Sequence, residues 1–353
     1  MNEPILVGVS PDFYAEAQGK FEPILAANLD PVRGVRYCPM PPLVDNHPTP
    51  DILNQYDAIF ALATKIDRES VAGVTRLALV ARWGVGYNNI DPEALTEQDI
   101  ALAITPRAVR GPVAEAILAF LFALAKNMFL QDRLVREGKW RGDLPKLGIS
   151  LEGRTLGSIG CGNIARAMFR RASSLGFARF LAYDPYVRQQ EVTELGVELA
   201  DLDTVCSESD FLTINTLLNH QTRSLIGERE LRLMKSSAFL INTARGPIVQ
   251  HEALVKALRE RWIAGAGLDV FHTEPLPPGD PLRELDNVIL APHALAWTEE
   301  LMRDNAQEAC RNLLAMTRGQ PIIENIVNRE VLNRPGFLRK LENWRARYET
   351  QPA

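Results

Sequence analysis

Four cysteines, at positions 38, 161, 206 and 310 of 353 residues, form no C-x-x-C pair and no cluster. That excludes a zinc knuckle and a disulfide framework. Neither sign of charge dominates: 39 Lys and Arg meet 44 Asp and Glu, so no broad basic footprint is offered to nucleic acid. No apolar run approaches the roughly 18 residues that a membrane span requires. The start, Met1 to Ile5, lacks the basic segment and long apolar stretch of a signal peptide. These shortages lead us to expect a reduced, cytoplasmic protein with no metal, no membrane and no nucleic-acid partner. What is present is an ordinary globular mix, 46% hydrophobic and 24% charged, which can bury a sizeable core. The length predicts two domains.

Short apolar runs alternate with helical patterns along the chain. Ile5–Val9, Ala58–Leu62 and Leu77–Ala81 read as buried strands, followed by Leu156–Gly160, Phe180–Tyr183 and Phe211–Asn215. Ala238–Asn242, Ala264–Leu268 and Val288–Ala291 complete the set. Runs apolar on both faces suit strands covered by helices on both sides, and alternation of strand and helix implies parallel sheets with right-handed crossovers. The segment Pro112 to Phe129 reads as one long apolar helix, buried between domains or subunits. The Pro- and Gly-containing stretch before it, residues 105–112, is the first candidate boundary. Residues 39–50 carry five prolines and read as an irregular loop, and Phe337–Trp344 reads as a short amphipathic helix.

The strand ending near Gly160 runs into Gly160-Cys161-Gly162-Asn163-Ile164-Ala165 and then a helical pattern. Gly160 permits a tight turn, Gly162 lets the backbone approach a pyrophosphate, and small Ala165 lets helix pack on strand. The helix N-terminus then offers free N–H groups to the phosphates. The next strand ends at Asp184, nineteen residues after Ala165, close to the spacing of an acid that binds an adenosine ribose. Its carboxylate would accept from both ribose hydroxyls and repel a 2′-phosphate. Dinucleotide binding in a Rossmann domain is the expectation, with NAD favoured over NADP, although Arg188 lies nearby. The bland alternative is a glycine-rich turn in another doubly wound sheet.

Histidine is scarce: only His47, His220, His251, His272 and His293. His47, in the proline-rich loop, and His251, at a helix start, read as solvated. His220, His272 and His293 each follow a strand, and position alone does not choose among them. Neighbouring motifs do. Asn242-Thr243-Ala244-Arg245-Gly246 puts a cation at one strand end, and Asp269 to Pro275 puts Glu274 beyond the next. A cation, a carboxylate and a histidine on three successive strand ends meet the needs of hydride transfer to an α-keto acid. The cation anchors carboxylate and polarises carbonyl, the imidazolium donates a proton, and the acid orients it. The alternative is a structural ion pair between Arg245 and Glu274.

These motifs resemble the D-isomer-specific 2-hydroxyacid dehydrogenase family from about Arg82 to Val331, with a weaker match before it. The resemblance rests on residues 84–91, 113–115, 157–165, 183–185, 242–246 and 269–275, and on Pro292-His293. It implies two doubly wound parallel-sheet α/β domains. One is a discontinuous flavodoxin-like substrate domain, 1–104 with 301–353, and the other a Rossmann NAD-binding domain, 105–300. It implies that Arg245 binds substrate, that Glu274 partners the histidine and that His293 is the acid/base. The N–H groups of Val85 and Gly86 would cradle the substrate carboxylate. Gly160, Gly162, Asn163 and Ile164 would meet the pyrophosphate, Asp184 the ribose and Thr216 the adenine side. Thr243 and Ala244 would line the nicotinamide side, and Asp269 would partner its carboxamide. Thr216 could instead merely end its strand, and Asp269 form a turn. The family further implies a homodimer built on the apolar helix.

Departures from the family pattern are Asn88, Ala116, Ala165, Asn215, Leu217 and Trp297. Trp297 would either narrow the substrate pocket or wedge between domains. None of the three catalytic positions departs. The expected activity is an NAD-dependent dehydrogenase that interconverts a small 2-keto acid and its D-2-hydroxy acid. The alternative from another class is a dinucleotide-sensing interaction protein, such as the family's corepressors. Formate oxidation is disfavoured because Glu274 holds the position of the histidine's partner.

Overall fold

A computed structural model describes residues 3–17 and 19–349. The chain divides into two compact units. The first comprises the residues up to Val109 and those from Thr298 onward, and the second runs from Arg110 to Trp297.

The first unit holds strands β1 (Ile5–Val9), β2 (Val35–Pro39), β3 (Ala58–Ala61), β4 (Leu79–Arg82) and β5 (Ala101–Ala103). They form an all-parallel sheet in the order β2-β1-β3-β4-β5. Ile59, Ala61, Val80 and Leu102 face one core with Leu53, Val71 and Leu95. Behind the sheet, the helix Glu299–Thr317 packs on the helix Glu22–Leu29 and on β4. That returning helix carries a buried polar row. Thr105 Oγ1 donates to Asn305 Oδ1 at 2.6 Å, and Glu308 Oε2 accepts the N–H groups of Arg107 and Ala108 at 3.1 and 3.0 Å.

Glu308 therefore closes the exposed N–H groups at the start of the helix Pro106–Ala125. This helix begins earlier than its apolar pattern predicts. It passes through Pro112, stops at Ala125, and is followed by a separate helix, Met128–Arg136. Asn127, in the left-handed region at φ 49°, divides the two. By length and composition Pro106–Ala125 is apolar enough to cross a membrane, which revises the expectation that no run would qualify. Its Ala114, Ile117, Phe120, Leu121 and Leu124 are buried against the second sheet.

The second unit holds β6 (Thr155–Ile159), β7 (Arg179–Tyr183), β8 (Val197–Leu199), β9 (Phe211–Ile214), β10 (Phe239–Asn242), β11 (Gly265–Leu268) and β12 (Val288–Leu290). All pair in parallel, in the order β12-β11-β10-β9-β6-β7-β8. The strand order reverses between β6 and β9, the switch point at which such sheets take ligands. Leu212 and Leu240 face one core with Val205, Leu231 and Leu254. Phe211, Phe239 and Ile241 face the other with Phe120, Met168 and Phe169. Helices cover both faces, which is why the strands read as unbroken apolar runs.

The two-sheet α/β expectation holds. Three short strands escaped the pattern: β2 and β8 are sheet edges with exposed positions, and β5 has only three residues. The C-terminal helix is longer than expected, Pro335–Glu349, with Phe337, Leu341 and Trp344 buried. Arg347 on this helix and Arg76 both bind the buried carboxylate of Asp57.

Candidate active site

Because every strand of the second sheet is parallel, the carboxyl ends of β6, β7, β9, β10, β11 and β12 share one edge. That edge gathers the residues singled out from the sequence. After β6, Gly160 adopts φ +94°, and a Cβ there would lie 2.6 Å from the Asn215 carbonyl oxygen. Only glycine fits where β6 and β9 part. Beside Gly162 nothing lies within 4 Å of a Cβ position, so the backbone is open to a ligand. The helix Asn163–Ala172 follows, offering the N–H groups of Asn163 and Ile164. Cys161, between the glycines, is fully buried, and burial pushes its thiol up to about 11.

Asp184, at the end of β7, accepts the Cys161 N–H at 2.8 Å and the Tyr186 N–H at 2.9 Å. Its carboxylate is thereby fixed against the glycine turn. Thr216 lies half-buried just after β9, its backbone nitrogen bordering Gly160. The side chain of Asn215 turns into its own sheet, donating to Ser158 Oγ and Thr213 Oγ1, both at 2.9 Å. At the end of β10, Thr243 Oγ1 is buried and has no hydrogen-bond partner among the described residues. An unsatisfied buried hydroxyl is costly, and a bound group on this edge would satisfy it. The open glycine turn, the helix terminus, the fixed acid and this hydroxyl fit a dinucleotide.

Asn242 was not singled out from the sequence, yet it shapes the turn that carries the cation. Its amide donates to the Arg245 carbonyl at 3.0 Å and its Oδ1 accepts the Ala244 N–H at 3.0 Å. An Asn at a strand end followed by a tight turn was the available signal. Arg245 Nη1 donates to the Ala244 carbonyl at 2.6 Å. Burial lowers the affinity of this guanidinium for its proton, and the charge of Glu274 opposes that effect. Gly246 is a contact plate: a Cβ there would lie 1.9 Å from the Phe271 carbonyl carbon and 2.5 Å from the His272 nitrogen.

His293 follows β12 in the left-handed region at φ 55°, a strained conformation for a residue with a side chain. Its Nδ1 lies 2.7 Å from Glu274 Oε2, while Glu274 Oε1 accepts the Phe271 N–H at 2.9 Å. Burial alone would raise the Glu274 carboxyl. The hydrogen bond and charge of His293, the Phe271 N–H and the charge of Arg245 outweigh burial and hold it below the ordinary value. An ionised Glu274 accepts only, so Nδ1 carries the proton and Nε2 points elsewhere.

Asp269 is buried. Its carboxylate accepts the Ala294 N–H at 3.0 Å and the Leu295 N–H at 3.2 Å, fixing the backbone just past His293. Burial raises its carboxyl value, against the pull of those N–H groups and of His293.

The first unit places Val85 and Gly86 after β4. The loop is braced by Gly84 N–H to Thr105 Oγ1 at 2.7 Å and by Arg82 Nε to the Gly86 carbonyl at 2.9 Å. The N–H groups of Val85 and Gly86 have no acceptor among the described residues. Two of the remaining histidines are not solvated as expected: His47 Nε2 lies 2.9 Å from Asp67, and His251 Nε2 lies 3.2 Å from Asp280. Both carboxylates lie too far along the chain for local pattern to reveal. His220 is exposed in the turn after β9. No group of three or more metal-binding side chains occurs among the described residues.

Comparison with known proteins agrees with this geometry. Residues 118–294 match the model of the D-isomer-specific 2-hydroxyacid dehydrogenase NAD-binding domain. A glyoxylate reductase of Korarchaeum cryptofilum is 44% identical over 287 residues, 80% of this chain and 86% of that protein. The crystal structure of a glyoxylate reductase from Paecilomyes thermophila superposes with a TM-score of 0.79 at 26% identity, over 93% of this chain and 99% of that one. A D-lactate dehydrogenase from Aquifex aeolicus, complexed with NAD and lactic acid, gives a TM-score of 0.79 at 25% identity, over 91% and 99% of the two chains. The chain thus belongs to the D-isomer-specific 2-hydroxyacid dehydrogenase family and is an NAD-dependent oxidoreductase.

Proposed function

We propose that this enzyme reduces a small 2-keto acid to the 2-hydroxy acid, of D configuration where that carbon is a stereocentre, with glyoxylate the first substrate to try. The observation that carries the reading is the 2.7 Å contact of Glu274 with His293 Nδ1, on the same sheet edge as Arg245. The names of the glyoxylate reductases that this chain resembles support the substrate class.

When bound, NADH would supply the hydride that reduces the keto carbon. Arg245 holds the substrate carboxylate and polarises the carbonyl through its planar fork. His293 gives a proton from Nε2 to the carbonyl oxygen, which becomes the hydroxyl. Glu274 keeps the ring oriented and stabilises the imidazolium before transfer. Within the first unit, the N–H groups of Val85 and Gly86, which have no acceptor among the described residues, are donors suited to a carboxylate. Gly160, Gly162, Asn163 and Ile164 would hold the pyrophosphate and Asp184 the ribose. Thr216 would border the adenine, Thr243 and Ala244 would line the nicotinamide, and Asp269, which fixes the backbone past His293, would hold the carboxamide. The acceptor-only carboxylate of Asp184 favours NADH over NADPH.

Exposed Phe122, Met128, Phe129, Val135, Trp140 and Leu147 fall within residues 122–147 and support a homodimer. Four free thiols fit a cytoplasmic setting. The test is NADH oxidation with glyoxylate, hydroxypyruvate and pyruvate. Tight NADH binding without turnover on any of them would refute the reductase reading and favour a sensing role.

A further inference from the structure

Glu274 stands near the start of a loop, residues 271–283, that contains four prolines. Its near end is pressed against Gly246. In the middle, Arg283 donates to the carbonyls of Leu276 and Pro277 at 2.6 and 2.9 Å. At the far end, Asp280 accepts the Leu282 N–H on Oδ1 at 2.9 Å and meets His251 Nε2 with Oδ2 at 3.2 Å. Asp280 is nearly buried, its side chain 9% exposed against 21% for His251.

His251 is the first residue of the helix His251–Arg259, whose Ala253, Leu254, Ala257 and Leu258 are buried in the sheet core. The anchor is therefore attached to a rigid element. The His251 ring lies 6.4 Å from that of His272, two residues before Glu274. Between them is a cavity of about 10 Å³, lined by Asn242, Gly246, Leu254 and Phe271 as well as the two histidines.

We propose that His251, acting through Asp280, is a positioning residue for Glu274. The inference rests on the reading above, in which Glu274 orients His293. Reacting groups displaced by about 1 Å lose on the order of 10²-fold in rate. Loosening one end of a proline-stiffened loop moves its carboxylate by less, so a loss of about tenfold in kcat is expected.

The experiment is a double-mutant cycle in the full-length enzyme, with NADH and glyoxylate, recording kcat, the KM for NADH and thermal unfolding for each variant. His251→Ala should lower kcat about tenfold and leave the KM for NADH within about twofold. His251→Gln, whose amide nitrogen can replace Nε2 as a donor to Asp280, should recover most of that loss. In a Glu274→Gln background, His251→Ala should change kcat by less than about twofold, because the group it positions has lost its role. An equal loss in both backgrounds, or an unchanged kcat for His251→Ala, overturns the inference and leaves the assignment of Glu274 standing. An unimpaired Glu274→Gln overturns that assignment and the inference together. If His251→Ala unfolds below the assay temperature, His251→Asn, polar but too short to reach Asp280, takes its place in the cycle.

Discussion

Replacing Gly246 by Ala tests whether the strand end that carries Arg245 and the loop that carries Glu274 are held at a fixed spacing. The new Cβ would sit 1.9 Å from the Phe271 carbonyl carbon and 2.0 Å from its oxygen. Ordinary contact begins at 3.4 Å, so the Phe271–His272 peptide must retreat by about 1.5 Å, or the Arg245 turn must move instead. Neither side yields easily. The Phe271 N–H is bound to Glu274, and the Arg245 carbonyl is bound to Asn242. Overpacking of this kind costs about 1–3 kcal/mol of stability. A catalytic group displaced by about 1 Å costs on the order of 10²-fold in rate. Gly246→Ala should therefore lose roughly a hundredfold in kcat for keto acid reduction, while NADH binding, followed by nucleotide fluorescence, changes little. The pyrophosphate turn at Gly160 is on other strands. A stable variant with wild-type kcat would refute the argument, because the contact would then not set the spacing of the reacting groups.

Arg245→Lys keeps the charge but loses the planar fork, and should cost about 2–4 kcal/mol in kcat/KM; an unchanged value would remove Arg245 from the site. His293→Gln should lose roughly 10²–10⁴-fold in rate with NADH affinity retained. Asp184→Ala should weaken NADH binding by about 1.5–3 kcal/mol and narrow its advantage over NADPH, measured as the ratio of kcat/KM values. Asp57→Ala should cost about 3–5 kcal/mol of stability, because it leaves Arg347 and Arg76 without their shared buried carboxylate. Burial raises the Asp57 carboxyl, but the two guanidinium groups and the Leu6 N–H outweigh it and hold the value low. The contribution of Asp57 is thus complete above the ordinary Asp range near about 4 and is lost as pH falls through its depressed folded value. Acid unfolding of the parent and the variant should converge there.

The alternation of strand and helix, the turn at Gly160 to Ala165, and the chemistry-bearing residues just after each strand were all legible in the sequence. Each is a local pattern, and in a parallel sheet the strand ends share one edge whatever the details of packing. The sequence by itself thus determined the fold class, the cofactor turn and a short set of strand-end candidates. Position after a strand alone did not choose among His220, His272 and His293, which satisfy the same local rule; the motifs around Arg245 and Glu274 pointed to His293. Only the tertiary structure brings one of them, His293, to 2.7 Å from Glu274.

The same limit explains the other differences. The helix Pro106–Ala125 begins where it does because Glu308, two hundred residues away, accepts its first N–H groups. Asp67 and Asp280 pair with His47 and His251 and hold them half-buried. The edge strands β2 and β8 are held by hydrogen bonds to neighbouring strands rather than by apolar runs of their own. Periodicity and turn chemistry are written within a few residues, whereas the partner of a buried polar group is fixed only when distant segments pack.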